Sequence, residues 1–188
     1  MIKVNTTLVV LATILIGVTM ASCSGDDSMA LERVSESDDL SRELPEGVVA
    51  DSLVVLKAER VMQLHSAGRM MKAYRVGLGF DPVGHKQEEG DGRTPEGCYR
   101  VSGRNPHSAF HLSLRVSYPN AQDRERARRR GVSPGGDIFI HGWPNGSTGG
   151  PGRHPTGDWT LGCIAVTSPE IEELWSSVPD GTPVIIRP

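Results

Sequence analysis

The chain has 188 residues, 37% of them hydrophobic, and a formal net charge of −3 at pH 7. This length accommodates one domain of ordinary size together with flanking segments. From Val48 to Pro188, 17 Lys and Arg stand against 15 Asp and Glu, and so small a positive excess argues against nucleic-acid binding.

The first 22 residues have the pattern of a secretory signal peptide. Lys3 gives a positive start, the apolar run over 8–18 is too short for a membrane span, and small residues then precede Cys23. This junction resembles a bacterial lipoprotein cleavage site, after which Cys23 would become the lipidated first residue. Met20 stands where such sites more often carry Leu, so cleavage by ordinary signal peptidase, with release of a soluble protein, is the alternative.

An acidic segment follows, over residues 23–50. Between positions 24 and 47 it carries eight Asp and Glu against two Arg, with almost no aromatic content. Such a composition cannot bury enough apolar surface to offset its chain entropy, so the sequence predicts a disordered tether. With a lipid on Cys23, the tether would hold the protein in the cell envelope, facing the periplasm or the outer cell-wall space.

Residues 51–188 are the predicted folded domain, and short strands dominate it. Apolar or alternating runs are separated by charged residues and by Gly, Ser and Pro breaks. This pattern is typical of a mainly β sandwich or barrel with a few peripheral helices. The predicted strands are Leu53–Leu56, Val61–His65, Met70–Leu78, Cys98–Val101, His111–Val116, Asp137–His141 and Val184–Ile186.

Capping and turn residues predict one β-turn and two helices in this domain. Thr94-Pro95-Glu96-Gly97 is typical of a β-turn with Pro at its second position. Asn120 to Arg130 predicts a short helix that Asn120 caps and Gly131 closes. Its five arginines could contact acidic material, although a solvated face is the simpler interpretation. A second helix is predicted to begin at Ser168-Pro169, with Ser168 as its cap.

Cys163 and His141 are the candidate catalytic residues. Cys163 follows Gly162 at the junction between a polar and an apolar segment, and His141 ends a strand-like run 22 positions earlier. A thiol beside glycine, with a histidine on a separate segment, is typical of a Cys/His nucleophile pair, in which the imidazole keeps the thiol deprotonated. A buried structural cysteine on an apolar strand is the alternative.

These segments resemble the bacterial L,D-transpeptidases of the YkuD type. His141-Gly142, a long loop and Thr160-x-Gly162-Cys163 match the His-Gly and Ser/Thr-x-Gly-Cys signature of that family, and Thr94-Pro95-Glu96-Gly97 is similar to its Thr-Pro-x-Gly turn. The resemblance covers roughly residues 51–188 and implies the family's β-sandwich. Asp158 to Val166 looks most like the YafK-related subgroup, which includes hydrolases of peptidoglycan–lipoprotein links.

The resemblance implies a role for each matching residue. Cys163 would be the nucleophile, His141 the general base, and the Gly142 carbonyl the group that orients the imidazole. Backbone N–H groups of Gly162 and Cys163 would form the oxyanion hole, with Thr160 at its rim.

Neighbouring residues complete the predicted substrate site. Asp158 and Trp159 lead into the cysteine, and Arg153 and His154 lie on the loop that separates the two catalytic segments. We predict that all four line the substrate cleft, although Trp159 is equally suited to filling core space.

Two positions depart from the family pattern. Leu161 stands where the family often has His, and Ala165 stands where it often has Arg or Asn. Neither change touches the Cys/His pair, but both leave the identity of the acyl acceptor open.

The activity implied by the resemblance is acyl transfer on peptidoglycan stem peptides. A thioester on Cys163 would be resolved by an amine, which gives an L,D crosslink, or by water, which gives hydrolysis of stem-peptide or lipoprotein links as in the YafK-like subgroup. A non-catalytic wall-binding lipoprotein is the alternative from another class. The implied partners are stem peptides and, through Cys23, a membrane; no metal or cofactor is required, and we expect a monomer.

Two further possibilities concern the thiols. His141, His154, Asp158 and Cys163 supply enough ligands for a zinc ion, but they lack the short regular spacing of structural zinc sites. Cys98 could in principle form a disulfide with Cys163 in an oxidising envelope. Its strand position after a Pro/Gly turn instead predicts a small buried residue.

Overall fold

The computed structural model describes residues 43–147 and 157–188. The predicted signal peptide, Cys23 and the predicted tether up to residue 42 lie outside the described residues, as do Arg153 and His154. The described residues form eight strands and two helices. In chain order these are β1 (Ser52–Leu56), β2 (Val61–Ser66), β3 (Arg69–Arg75), β4 (Gly97–Ser108), β5 (His111–Val116), α1 (Ala121–Arg130), β6 (Phe139–His141), β7 (Ile164–Ala165), α2 (Ser168–Ser177) and β8 (Pro183–Arg187).

The strands form one curled sheet in the order β3-β2-β1-β8-β4-β5-β6-β7. The first three strands form an antiparallel meander, and β8 lies between β1 and β4, parallel to β1. The sheet continues antiparallel through β5 to β6, and β6 pairs parallel with β7. This mainly β architecture with two helices confirms the predicted fold class.

Alternate apolar side chains of the strands, together with one face of α2, form the core. Tyr74, Leu114, Ile140, Ile164 and Leu174 are fully buried. Because successive strand residues point to opposite faces, these strands each supply one row of core residues. Removal of this apolar surface from water is the main stabilising contribution to the fold.

The first predicted helix is confirmed, and the second begins one residue earlier than predicted. Asn120 caps α1 by accepting backbone N–H bonds, and Gly131 ends it with φ +70°. The cap of α2 is Thr167, not Ser168, because Thr167 and Glu170 have the spacing of a capping box. No helix among the described residues is both long and apolar enough to span a bilayer.

The β-turn predicted for Thr94 to Gly97 is wrong, since residues 94–96 form neither a turn nor a bend and Gly97 begins β4. The Thr94 carbonyl, which would close such a turn, instead accepts a hydrogen bond from Lys57 Nζ at 3.0 Å. Gly97 pairs with Ile186 at the start of β4. The backbone groups that would form the turn are therefore bonded to residues distant in sequence.

The burial predicted for Cys98 is also wrong. Cys98 and Arg100 are exposed, whereas Tyr99 and Val101 of the same strand are buried. Strand alternation therefore directs Cys98 away from the core. Cys163 is a free cysteine, so the possible disulfide between these two residues is not formed.

Candidate functional site

Strand pairing brings the segments that carry His141 and Cys163 together. His141 pairs with Ala165, and the Val166 N–H donates to the His141 carbonyl at 2.9 Å. Cys163 directly precedes β7, and its Sγ lies 3.4 Å from the carbonyl oxygen of Asp137, just before β6. Two segments that are distant in sequence therefore end side by side.

The His141 ring is held in one tautomer. Its Nδ1 lies 2.8 Å from the Gly142 carbonyl oxygen, which can only accept, so Nδ1 carries the proton and Nε2 has the lone pair. Burial lowers the pKa of His141, and the Gly142 carbonyl opposes this shift only in part. At neutral pH the ring is an uncharged base.

An aromatic wall fixes the plane of this ring. Phe110 lies with its ring centroid 4.4 Å from that of His141, and Trp159 lies edge-on at 5.8 Å. Trp143 stacks on Trp159 at 6.3 Å with an interplanar angle of 8°. The sequence predicted Trp159 near the site but gave no signal for Phe110, which the turn between β4 and β5 brings to His141.

Cys163 is a half-buried thiol rather than a thiolate. Its Sγ donates to the Asp137 carbonyl oxygen at 3.4 Å. Burial raises the pKa of Cys163, and the Asp137 charge raises it further, against the lowering effects of the Phe139 backbone and Lys86. These pKa directions favour a neutral thiol beside a neutral imidazole in the resting site, whereas the sequence predicted that the imidazole keeps the thiol deprotonated.

We expect the alkylation rate constant of Cys163 with iodoacetamide to rise with pH. Because the thiol pKa lies above its ordinary value, the thiolate fraction should increase about tenfold per pH unit from pH 6 to 8 without a plateau. Stopped-flow measurements on a Cys98→Ala background would report Cys163 alone. A plateau below pH 7 would instead reveal a preformed thiolate–imidazolium pair.

Thr160 shapes the loop that presents the thiol. Its Oγ1 donates to the Cys163 carbonyl at 2.8 Å and accepts from the Gly162 N–H at 3.1 Å. Gly162 has φ +124°, and a Cβ there would lie 2.6 Å from the Arg93 carbonyl oxygen. The loop therefore requires glycine at this position.

The hydrogen bond from Gly162 to Thr160 changes which backbone N–H groups can form the oxyanion hole. Because the Gly162 N–H donates to Thr160 in this structure, it does not point to an incoming oxyanion. The Cys163 N–H stays the predicted oxyanion donor, and Thr160 acts on the site through the loop backbone.

Asp158 anchors the loop instead of lining the cleft as predicted. Its carboxylate accepts from Arg60 Nε at 3.0 Å and Nη2 at 2.7 Å, and from the Leu78 N–H at 3.1 Å. The Trp159 and Thr160 N–H groups in turn donate to the Leu78 carbonyl, each at 3.0 Å. Arg60 was not predicted, since nothing local in the sequence links it to a carboxylate 98 residues away.

We expect Asp158→Ala to lower the free energy of unfolding by about 2 kcal/mol. The Asp158 side chain is only 15% exposed, and its removal leaves the Arg60 guanidinium and the Leu78 N–H without their acceptor. Urea denaturation would measure the change. Asp81→Ala removes a more exposed ion pair with Arg93 and should cost about 0.5 kcal/mol; equal losses in the two variants would contradict the anchoring role.

The zinc arrangement is not assembled within residues 43–147 and 157–188. No three His, Cys, Asp or Glu side chains there are grouped to hold a metal ion. Asp158, one of the four candidate ligands, is held by Arg60. His154, another, lies outside the described residues together with Arg153.

Residues 50–186 match the family described as YkuD, L,D-transpeptidase catalytic domain. YafK of Escherichia coli (strain K12) is 27% identical over 131 residues, which cover 66% of this chain and 45% of YafK. The chain thus spans about half the length of the curated relatives that it matches.

Solved structures share the fold. Pgp2 of Campylobacter jejuni, described as a helical cell shape determining protein, superposes with a TM-score of 0.57 at 23% identity, over 75% of this chain and 48% of Pgp2. Bd1075 of Bdellovibrio bacteriovorus gives a TM-score of 0.54 at 23% identity, over 76% of this chain and 49% of that protein.

Proposed function

Because the chain belongs to the L,D-transpeptidase catalytic domain family, we propose that it is a peptidoglycan-modifying acyltransferase with Cys163 as its nucleophile. The pairing of β6 with β7, which places the segments that carry His141 and Cys163 side by side, is the observation that carries this proposal. The Nδ1 contact with the Gly142 carbonyl supports it, because Nε2 is left to accept the thiol proton.

The first half-reaction forms a thioester. Sγ of Cys163 attacks the carbonyl carbon of the diamino-acid residue in a stem tetrapeptide while its proton passes to Nε2 of His141. The Cys163 N–H stabilises the oxyanion of the tetrahedral intermediate. That intermediate collapses as the imidazolium protonates the departing amine of the terminal D-alanine. Proton transfer during the attack suits a thiol of raised pKa beside an imidazole of lowered pKa.

The second half-reaction decides between crosslinking and hydrolysis. An amine of a neighbouring stem would give an L,D crosslink, and water would give a tripeptide. Ala165 is fully buried and Leu161 is 73% exposed, so neither position offers the polar side chain that the family often carries there. These two positions leave the acyl acceptor open, and hydrolysis, including the cleavage of peptidoglycan–lipoprotein links, is the second candidate.

Incubation with disaccharide-tetrapeptide and, in a second arm, with peptidoglycan that carries linked lipoprotein, followed by mass spectrometry, tests both candidates. A crosslinked dimer would establish transpeptidation, and tripeptide alone would establish carboxypeptidase activity. Release of a wall-linked lipoprotein without either product would assign the hydrolase. Absence of all three, with the Cys163→Ala variant as blank, would overturn the proposed function and favour a non-catalytic wall-binding protein.

We also propose that Cys23 carries a lipid that holds the protein in the cell envelope. The sequence of the first 23 residues supports this, and Cys23→Ala should prevent incorporation of a labelled fatty acid. Unchanged labelling of that variant would refute it.

A further inference from the structure

A pocket of about 740 Å³ lies outside the candidate active site, between α1, the end of β8 and the loop before β4. Its volume is in the range of small-molecule sites. Five cationic side chains line it from three separate elements: Lys86, Arg126, Arg129, Arg130 and Arg187.

The arginines of α1 divide into two sets. Arg126, Arg129 and Arg130 line the pocket, whereas Arg124 and Arg128 do not. The first set has the i, i+3, i+4 spacing that places side chains on one helix face. Arg187 of β8 lines the same pocket, so the positive charge comes from two separate elements.

Among the described residues, counter-charges compensate this positive charge only in part. Arg129 shares the single Glu125 carboxylate with Arg128, and Arg130 donates to the neutral amide oxygen of Gln87. Within residues 43–147 and 157–188, the Arg187 guanidinium has no hydrogen-bond or ion-pair partner. Guanidinium groups that converge in this way repel one another unless an anion lies between them.

The acidic residues of the pocket are already engaged. Asp123 accepts from Tyr99 and the Asn120 N–H at 3.0 Å each, lies 3.2 Å from His85 Nε2, and meets Arg126 at 3.3 Å. Glu96 forms an ion pair with Lys57 at 2.8 Å. Asp123 therefore offsets part of the charge of Arg126, Glu125 part of that of Arg129, and Asp91 that of Lys86. Among the described residues, Arg130 and Arg187 have no acidic partner.

We propose that this pocket binds a small oligoanion with two or more carboxylate or phosphate groups. Planar guanidinium groups match both oxyanions through paired hydrogen bonds. The cationic side chains come from separate elements, so a ligand with two or more anionic groups suits the pocket best. The site does not depend on Cys163 or on the proposed reaction.

Calorimetric titration of the full protein with citrate and with tripolyphosphate, at constant ionic strength, tests the proposal. We expect saturable binding of at least one probe, and the two probes distinguish a carboxylate from a phosphate ligand. The double variant Arg126→Gln/Arg129→Gln should weaken binding roughly tenfold or more, and Arg187→Gln should also weaken it. Arg69→Gln/Arg124→Gln removes the same charge from exposed positions that do not line the pocket and should change affinity less than about twofold.

Equal weakening in the two double variants would indicate diffuse attraction to a basic surface and would overturn the proposal. Failure of both probes to saturate would overturn it as well. Thermal melting of each variant would establish that α1 remains folded, and Arg187→Gln tests the pocket from an element outside that helix.

Discussion

Cys163→Ala is expected to abolish turnover of stem peptides and to prevent covalent modification by a carbapenem. The family resemblance implies that the carbapenem ring mimics the acyl donor, so the wild-type protein should gain one drug-sized mass on Cys163. Loss of the nucleophile should reduce the turnover number by at least about a thousandfold, because no other group can form the thioester. Intact-mass spectrometry and a turnover assay would measure the two effects.

Cys98→Ala is the matched control for this experiment. Cys98 is exposed on β4 and outside the site, so its removal should leave both the adduct and turnover unchanged. An adduct that maps to Cys98, or a Cys163→Ala variant that still turns over substrate, would refute the nucleophile assignment. An inert wall-binding protein would give no adduct in either variant.

Local sequence patterns predict those elements whose stabilising contacts join residues close together in the chain. The boundaries of α1 follow from Asn120 and Gly131, and the strand β1 follows from a short apolar run between charged residues. Capping boxes and strand alternation depend on positions only a few residues apart, so they can be predicted from sequence.

Predictions from sequence failed where a residue distant in the chain binds a group that the local pattern requires. The turn at Thr94 is replaced because Lys57, 37 residues away, takes the Thr94 carbonyl. β4 continues to Ser108 through Pro106, beyond the predicted end at Val101, and its register with β5 shifts between Asn105 and Ser108. Proline has no N–H to donate, and such an irregularity accommodates it within a strand.

In the candidate site too, some features can be predicted from local sequence and others depend on distant residues. The family signature locates His141 and Cys163, but Asp158 is held by Arg60 from the turn between β1 and β2. The charge states of His141 and Cys163 both depend on burial, and Phe110 packs against the His141 ring. Burial is a property of the assembled sheet, and no spacing along the chain encodes it.

His141→Gln is expected to lower the turnover number by about a hundredfold to ten-thousandfold, the usual contribution of a general base. Glutamine fills much of the space beside Phe110 but cannot accept a proton at neutral pH. The neutral thiol of Cys163 then has no group to take its proton during the attack, so the first half-reaction should slow most.

Alkylation of Cys163 distinguishes a role of His141 as a base from a role in packing. At pH 10 hydroxide generates the thiolate, so iodoacetamide should modify Cys163 in His141→Gln and in wild type within about threefold of the same rate. His111→Gln, which alters a partly exposed histidine bonded to Glu172 at 2.6 Å, should leave turnover within about twofold. If His141→Gln lost alkylation together with turnover, the ring would be a packing element; if it kept turnover, the proton would have to pass to another base. Only lost turnover with a thiol that still reacts is consistent with Nε2 of His141 as the base.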